Sequence, residues 1–405
     1  MTKTITADFN KAANGHNQTD VRDGNLKLFF NELIRGDSSR VDIAKKYNIS
    51  KTASSKIVAE LLNLNLIKET AFQKKRVAPG IRPTFYTINN DLGVIAILDM
   101  SSVETVISVC SLSGKVLAEI RVPNMEKIKH GDILHFADCL QDLLSRTEFA
   151  GKRLLRICIA LPCAINKITN KVFWSPRFSL TEDLDLQALF SQRFGAKVII
   201  ANDVQLLLCG EVHSDAIGEN VKYALMAYID SGIGGAFYMD GRLEDGYFGF
   251  GGDIGYYAAT SEGGAKSTLD DEASINGIKN AIKAKIVQGA ASSLSGKVGG
   301  LRFKDVLAAY REGDALTMQC VHRSAQEAAE AIKGIVRILN IPLVVISGRI
   351  TKFGGRYLEI IEQALSSDMF FDADVKYASL SDGINKGALV TALDRILDEI
   401  VFLRK

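Results

Sequence analysis

The 405-residue sequence has no apolar run long enough to cross a membrane, and its first twenty residues lack the apolar core of a secretion signal. Both absences predict a cytoplasmic chain with no membrane partner. Its six cysteines, Cys110, Cys139, Cys158, Cys163, Cys209 and Cys320, include no CxxC pair and sit mostly among apolar neighbours. Reduced, buried thiols are expected rather than disulfides. The absence of a short fixed-period repeat or a long low-complexity tract excludes a solenoid and an extended linker.

What is present suits a multi-domain globular protein. An apolar content of 47% with 24% charged residues argues against disorder, and 405 residues exceed one small core, so two or three domains are expected. The formal charge of +2 is unevenly spread. Residues 1–90 hold 15 Lys and Arg against 8 Asp and Glu, a net of +7, and the remaining 315 residues carry −5. A basic head on a mildly acidic body suits contact with phosphate, and a solvated basic face has the same composition.

Within the head, Leu26, Phe29, Phe30 and Leu33 fall on one helical face that stops at Gly36. The run from Ser39 to Glu69 then reads as two short helices with a turn near Asn48 and Ile49. Val41, Ala44 and Tyr47 are expected to share a face of the first, with Ile43 beside it. Ser50 is placed to cap the second, whose inward stripe is Ala53, Ile57 and Leu61. Its other side carries Lys51, Thr52, Ser55 and Lys56. Short hydroxyl side chains fit a major groove and bond to base edges, so Thr52 and Ser55 are the candidate base readers, with Lys51 and Lys56 setting register on phosphate. A solvated helix of an ordinary three-helix domain has the same pattern. Two β-prone pieces around a basic turn follow, where Lys74, Lys75, Arg76 and Arg82 are candidates for a wing over the DNA backbone or minor groove.

The body centres on Val198 to Tyr256. A β-branched run delivers Asn202 and Asp203 to a strand end, where a polar pair can face a cleft. Gly232, Gly234 and Gly235 closely follow the strand-like ALMAYID, so the backbone can turn tightly there and present amides to a ligand, although tight turns have structural uses too.

This order of motifs resembles the ROK family of sugar kinases and sugar-responsive repressors. The resemblance implies an α/β fold with an N-terminal winged helix-turn-helix domain at 1–88, followed by a two-lobed actin-like, ribonuclease-H-like ATPase/sugar kinase fold. Its first lobe spans 89–205 and is completed by the C-terminal helix at 387–405. The second spans 206–386 and carries an oligomerisation surface. Kinases of the family normally lack the head, whose Gly-Arg-Pro signature is interrupted here by Ile81 between Gly80 and Arg82.

Asp203 matches the family's general base, which in its repressors contacts the sugar hydroxyl; Asn202 is expected to orient the cleft, beside Gly234 and Gly235. Asp253 and Tyr256 stand where the family has Glu and His, and Arg177 stands for Asn in a sugar-pocket loop. The arginine could meet a carboxylate or phosphate. In the ATP phosphate loop Asp99 is retained, but the close-approach glycines are absent and Glu104 adds negative charge. Ser347 and Arg349 replace glycines on the adenosine side. Lys266, Thr268 and Ala273 stand where three zinc-binding cysteines would be, and the fourth ligand, the His, is Tyr256. Residues 261–300 are expected to form a mobile loop and a helix.

The resulting expectation is a regulator that is not an enzyme, with no cofactor and no bound metal. Its partners would be a double-stranded DNA operator, a sugar or sugar-derivative effector, and further copies of the chain in a dimer or tetramer. The rival readings are a sugar kinase with an appended DNA-binding head, and a DNA-binding regulator without an effector.

Overall fold

The computed structural model describes residues 18–70, 83–102, 104–123, 128–166, 171–175, 185–214, 217, 221–367 and 372–402. The head opens with α1 (Gln18–Arg35), then α2 (Arg40–Lys46) and α3 (Lys51–Asn63). Ser39 accepts a bond from the Asp42 amide at 3.1 Å and Ser50 one from the Ala53 amide at 3.2 Å, so each short helix starts on a hydroxyl cap. Asn48, at φ 53°, makes the turn between them. Leu26, Phe29, Phe30 and Leu33 of α1 close over Ile43, Ile57, Val58 and Leu61. Val41 departs from expectation: it is 54% exposed, while Ile43 and Ala44 are the residues packed into the cluster with α1 and α3.

Ile67–Thr70 pairs antiparallel with Phe85–Ile88, and Ser38–Ser39 adds a short third strand on the far side of Phe85–Ile88. The helices and this small sheet make a winged helix-turn-helix. Residues 71–82, which join the two longer strands, lie outside the described residues.

The body repeats one topology twice. In the first sheet Val94–Asp99, Glu104–Ser111 and Val116–Pro123 form an antiparallel meander, and Leu154–Leu161 and Lys197–Asn202 extend it in parallel from the first strand. In the second sheet Ala224–Ile229, Ile233–Met239 and Arg242–Glu244 meander, and Leu343–Ser347 and Asp374–Tyr377 extend in the same way. Two such sheets in one chain constitute an actin-like core. The central strands are nearly continuous apolar runs because both faces are covered.

Two helices meet between the sheets: Asp203–Val212 and the C-terminal Gly383–Phe402. Their backbones touch. A Cβ on Gly387 would stand 1.8 Å from the Leu206 carbonyl oxygen, and one on Gly210 would stand 2.1 Å from that of Gly383. Fully buried Glu211 fixes the register, accepting from the Ser379 amide (2.8 Å), the Ser379 hydroxyl (2.8 Å) and the Leu380 amide (2.7 Å). At its far end the C-terminal helix reaches the first sheet, where Glu399 pairs with Arg156 and with Lys197.

Residues 261–300 hold the expected helix. They contain Leu269–Ala273 and Ile275–Val287, whose Leu269, Ile275, Ile278 and Ile282 enter the second lobe's core. A Gly387→Ala change forces the two helices apart and should lower unfolding free energy by about 1–3 kcal/mol. Gly24→Ala, in α1 with nothing within 4 Å of the new methyl, should raise it by about 0.5–1 kcal/mol. Denaturant titration of both variants checks the pair.

Candidate functional site

On α3 all four candidate DNA-facing residues, Lys51, Thr52, Ser55 and Lys56, are exposed, opposite buried Ile57 and Leu61; Ala53 is half-buried. The Ser55 hydroxyl donates to the Lys51 carbonyl at 2.9 Å, which leaves its oxygen free to accept from a base. Ser54 is fully buried and receives the Arg40 guanidinium at 3.2 Å, so Arg40 braces α2 against α3. Lys74, Lys75, Arg76 and Arg82 lie outside the described residues, as does Arg177.

In the body, the strand Lys197–Asn202 ends where the helix Asp203–Val212 begins. Asn202 caps that helix by accepting from the Gln205 amide at 3.1 Å, and its amide donates to the Cys163 carbonyl at 3.0 Å. Both ends of the side chain are used to hold the strand–helix junction. Asp203, buried, sits in the first turn, where the helix dipole favours its negative charge, and accepts from the Val204 amide at 2.9 Å. Such a carboxylate can accept a bond from a ligand hydroxyl or take its proton.

Asp203 is one of three carboxylates around Tyr228. The Tyr228 phenol is pushed up, by burial first and then by the charges of Asp230, Asp203 and Asp99. Asp99 ends the first strand of the first lobe and accepts from the Ser101 amide at 2.9 Å. The cleft floor therefore draws on both lobes. Glu104 lies 4.0 Å from Arg121, whose guanidinium bonds Glu119 at 2.8 Å.

Gly235 serves close packing, whereas Gly234 has room for a methyl group. A Cβ on Gly234 would meet Val204 Cγ2 at 3.6 Å, and one on Gly235 would meet the Gly252 carbonyl oxygen at 3.0 Å. Gly252, at φ 102°, is 2.3 Å from the Gly235 oxygen by the same measure. These approaches lay the Asp253 turn beside the strand that leans on Asp203's helix. Asp253 is exposed, and partial burial of its carboxyl together with the Asp270 charge pushes its pKa up. Tyr256 is 67% exposed.

Asp270, unremarked in the sequence, accepts from the Ile233 amide at 2.5 Å and so ties the glycine strand to the helix Leu269–Ala273. Around it, Ala258–Thr260 pairs with Lys266–Thr268, Thr268 caps the next helix, and Ala273 is buried. Hydrogen-bonded protein structure thus organises the segment where the family's zinc cysteines would fall.

A second unforeseen contact joins the turns that follow the adjacent strands Ala224–Ile229 and Leu343–Ser347. Arg349 donates from Nε to Asp230 at 2.9 Å, from its amide at 3.0 Å, and from its guanidinium to the Ser231 hydroxyl at 2.7 Å. Its guanidinium also lies 5.2 Å from the Phe303 ring centroid. Burial alone would raise the Asp230 carboxyl, but bonds from the Arg349 side chain and amide and from the Ser231 amide outweigh it and hold the pKa below the ordinary value. The partners are 119 residues apart, and only the sequence departure at Arg349 pointed to this place.

Arg349 is half-exposed, so a double-mutant cycle with Asp230→Asn and Arg349→Met should give a coupling of about 1 kcal/mol. A depressed folded-state pKa adds stability that is complete above the unfolded value near 3.8 and is lost as pH falls below it. The difference in unfolding free energy between wild type and Asp230→Asn should therefore be constant from pH 7 to pH 5 and shrink toward pH 3.

The comparisons with known proteins agree with this architecture. A model of the ROK family matches residues 95–389. The xylose repressor of Caldicellulosiruptor bescii is 23% identical over 359 residues, which cover 85% of this chain and 88% of that protein. A glucokinase of Halalkalibacterium halodurans is 26% identical over 262 residues, 62% of this chain and 78% of the kinase. Among solved structures, a ROK family transcriptional regulator described as a homologue of the Escherichia coli MLC protein has a TM-score of 0.74 at 22% identity, covering 95% of this chain and 98% of that one. The fold likeness thus takes in the head.

The glucokinase match overturns the expectation that the chain is not an enzyme. Kinases share its body, and Arg349, a departure from the family's glycine, is engaged with Asp230. Related both to DNA-binding regulators and to sugar kinases, and matched by the family model over most of its length, the chain belongs to the ROK family.

Proposed function

We propose that the protein is a cytoplasmic transcriptional repressor of carbohydrate-related genes that binds a palindromic operator as a homodimer or larger homo-oligomer and responds to a sugar-like effector. The observation that carries this reading is α3: it presents Lys51, Thr52, Ser55 and Lys56 to solvent from a capped helix-turn-helix whose other face is fully packed. A basic, hydroxyl-bearing helix face of this kind fits a major groove. Lys74, Lys75, Arg76 and Arg82 are assigned to the wing, where they would add phosphate contacts. The xylose repressor and the MLC homologue, which match this chain through most of its length, support a regulator over a kinase.

The effector is assigned to the cleft. Asp203 would accept from a sugar hydroxyl, with Asp253, Tyr256 and Arg177 at the rim, while Asn202, Gly234 and Gly235 hold the surrounding backbone. Selection from a random duplex library by the full-length protein should enrich two inverted half-sites about 10 base pairs apart, or a multiple of that. Lys51→Ala with Lys56→Ala should then weaken binding to all sequences alike and lower the salt slope by about 1 per lysine removed. No enrichment at physiological salt counts against the proposal.

One observation favours a second reading, residual sugar phosphorylation. Asp203 is buried at a helix N-terminus beside Tyr228 and Asp99, a suitable place for a general base. Magnesium-dependent ATP turnover with a sugar, abolished by Asp203→Asn, would establish it. Absence of turnover across hexoses, amino sugars and pentoses would remove it.

A further inference from the structure

Where the head meets the body, α1 lies against the C-terminal helix, and the apolar residues of both belong to one cluster running from Leu26 and Phe30 to Leu389, Leu393 and Leu397. Polar groups are embedded in this contact. Lys27 of α1 pairs with Asp398. Asn31 lies one turn beyond Lys27 on α1 and Asp394 one turn before Asp398 on the antiparallel C-terminal helix, and the Asn31 side chain acts on the Asp394 carboxyl to favour its ionised form. Two oxygens at this spot have no partner: Asn31 Oδ1 and Asp394 Oδ1 are both buried and receive no hydrogen bond.

Two buried acceptors without donors are costly, because each has given up its hydrogen bonds to water. A single proton on Asp394 changes the inventory. The carboxylic acid can donate to the amide oxygen while its other oxygen accepts from the amide nitrogen, so one neutral pair satisfies both side chains. We infer that Asp394 and Asn31 form a proton-dependent clasp that fastens the DNA-facing head to the body when Asp394 is protonated and loosens it when Asp394 is ionised.

The surroundings permit such a response. Facing Asp394 are Lys27 and Asn31 from α1, Cys209 from the helix Asp203–Val212, Tyr238 from the second sheet, and Arg395 and Asp398 from its own helix. Arg35 of α1 and Lys386 lie nearby, beside His213. Burial pushes the Asp394 carboxyl up to about 6; Lys27, Asn31 and Arg395 oppose the rise and Asp398 adds to it. The neighbouring titratable groups do not share this range: burial takes His213 down to about 4, the Cys209 thiol up to about 12, and the Tyr238 phenol higher still.

The sign follows from linkage. The docked state holds its proton up to about pH 6 and the released carboxyl only to about 3.8, so docking weakens as pH rises between these values and is constant above them. Between pH 7 and pH 5 the docking equilibrium changes by about tenfold.

Hydrogen exchange of α1 amides in the full-length protein without DNA tests this, with rates corrected for intrinsic pH dependence. This readout does not rely on the proposed DNA binding, so failure of that reading leaves the test intact. Wild type should gain about tenfold protection in α1 from pH 7 to pH 5. Asp394→Asn, which supplies the missing donor permanently, should be protected at both pH values. Lys27→Met removes a cation that favours ionisation and should move the midpoint to higher pH, a shift that loss of packing alone does not produce. Protection independent of pH in wild type, an unaltered pH profile in Asp394→Asn, or an unmoved midpoint in Lys27→Met would overturn the inference.

Discussion

The architecture depends on the backbone crossing of the helices Asp203–Val212 and Gly383–Phe402. Gly210, Gly383 and Gly387 lack the side chains that would hold the helices apart, and Glu211 fastens the loop before the second helix with three hydrogen bonds. A glycine inside a helix costs about 1 kcal/mol relative to alanine. Gly210 and Gly387 carry that cost because only a contact at backbone distance lets one helix begin at the cleft while the other spans both the first sheet and the head.

The crossing gives the proposed effector response a physical basis. Asp203 is the first residue of one helix, and the other lies under α1, beside Lys27 and Asn31. A ligand that shifts the strand–helix junction at Asn202 and Asp203 would move a helix that cannot slide independently of its partner. Linkage then requires the two positions of that pair to differ in affinity for the effector and for DNA. The Asp394–Asn31 contact lies on the same path, so proton and effector would act on one element.

Features set by local periodicity were legible in the sequence. The outward and inward faces of α3, the Ser50 cap and the strand-to-helix junction at Asn202 and Asp203 all follow from patterns spanning a few residues. Periodicity failed at Val41, because in a helix of two turns packing against α1 and α3 decides which apolar residues are buried, and it takes Ile43 and Ala44. The helix expected within 261–300 is held by Leu269, Ile275, Ile278 and Ile282, which anchor it among glycines and serines. Contacts between distant segments were not legible at all. Asp230 with Arg349, Asp270 with Ile233, Glu211 with Ser379 and Asp394 with Asn31 each need the fold before the partners can be named. The expectation against catalysis, drawn from the missing loop glycines and Glu104, is overturned by the likeness to kinases and not by any local contact.

The central claim is that cleft and head are thermodynamically coupled. The most direct measurement is a pair of titrations of the full-length protein, in which the affinity for its selected duplex is measured with and without a saturating sugar that binds the cleft. Sugar affinity is then measured with and without the duplex. The account predicts at least a fivefold change in DNA affinity, a coupling of about 1 kcal/mol or more, with the same factor in the sugar titration. A sugar whose binding is weakened by Asp203→Ala, yet leaves DNA affinity unchanged, would contradict it.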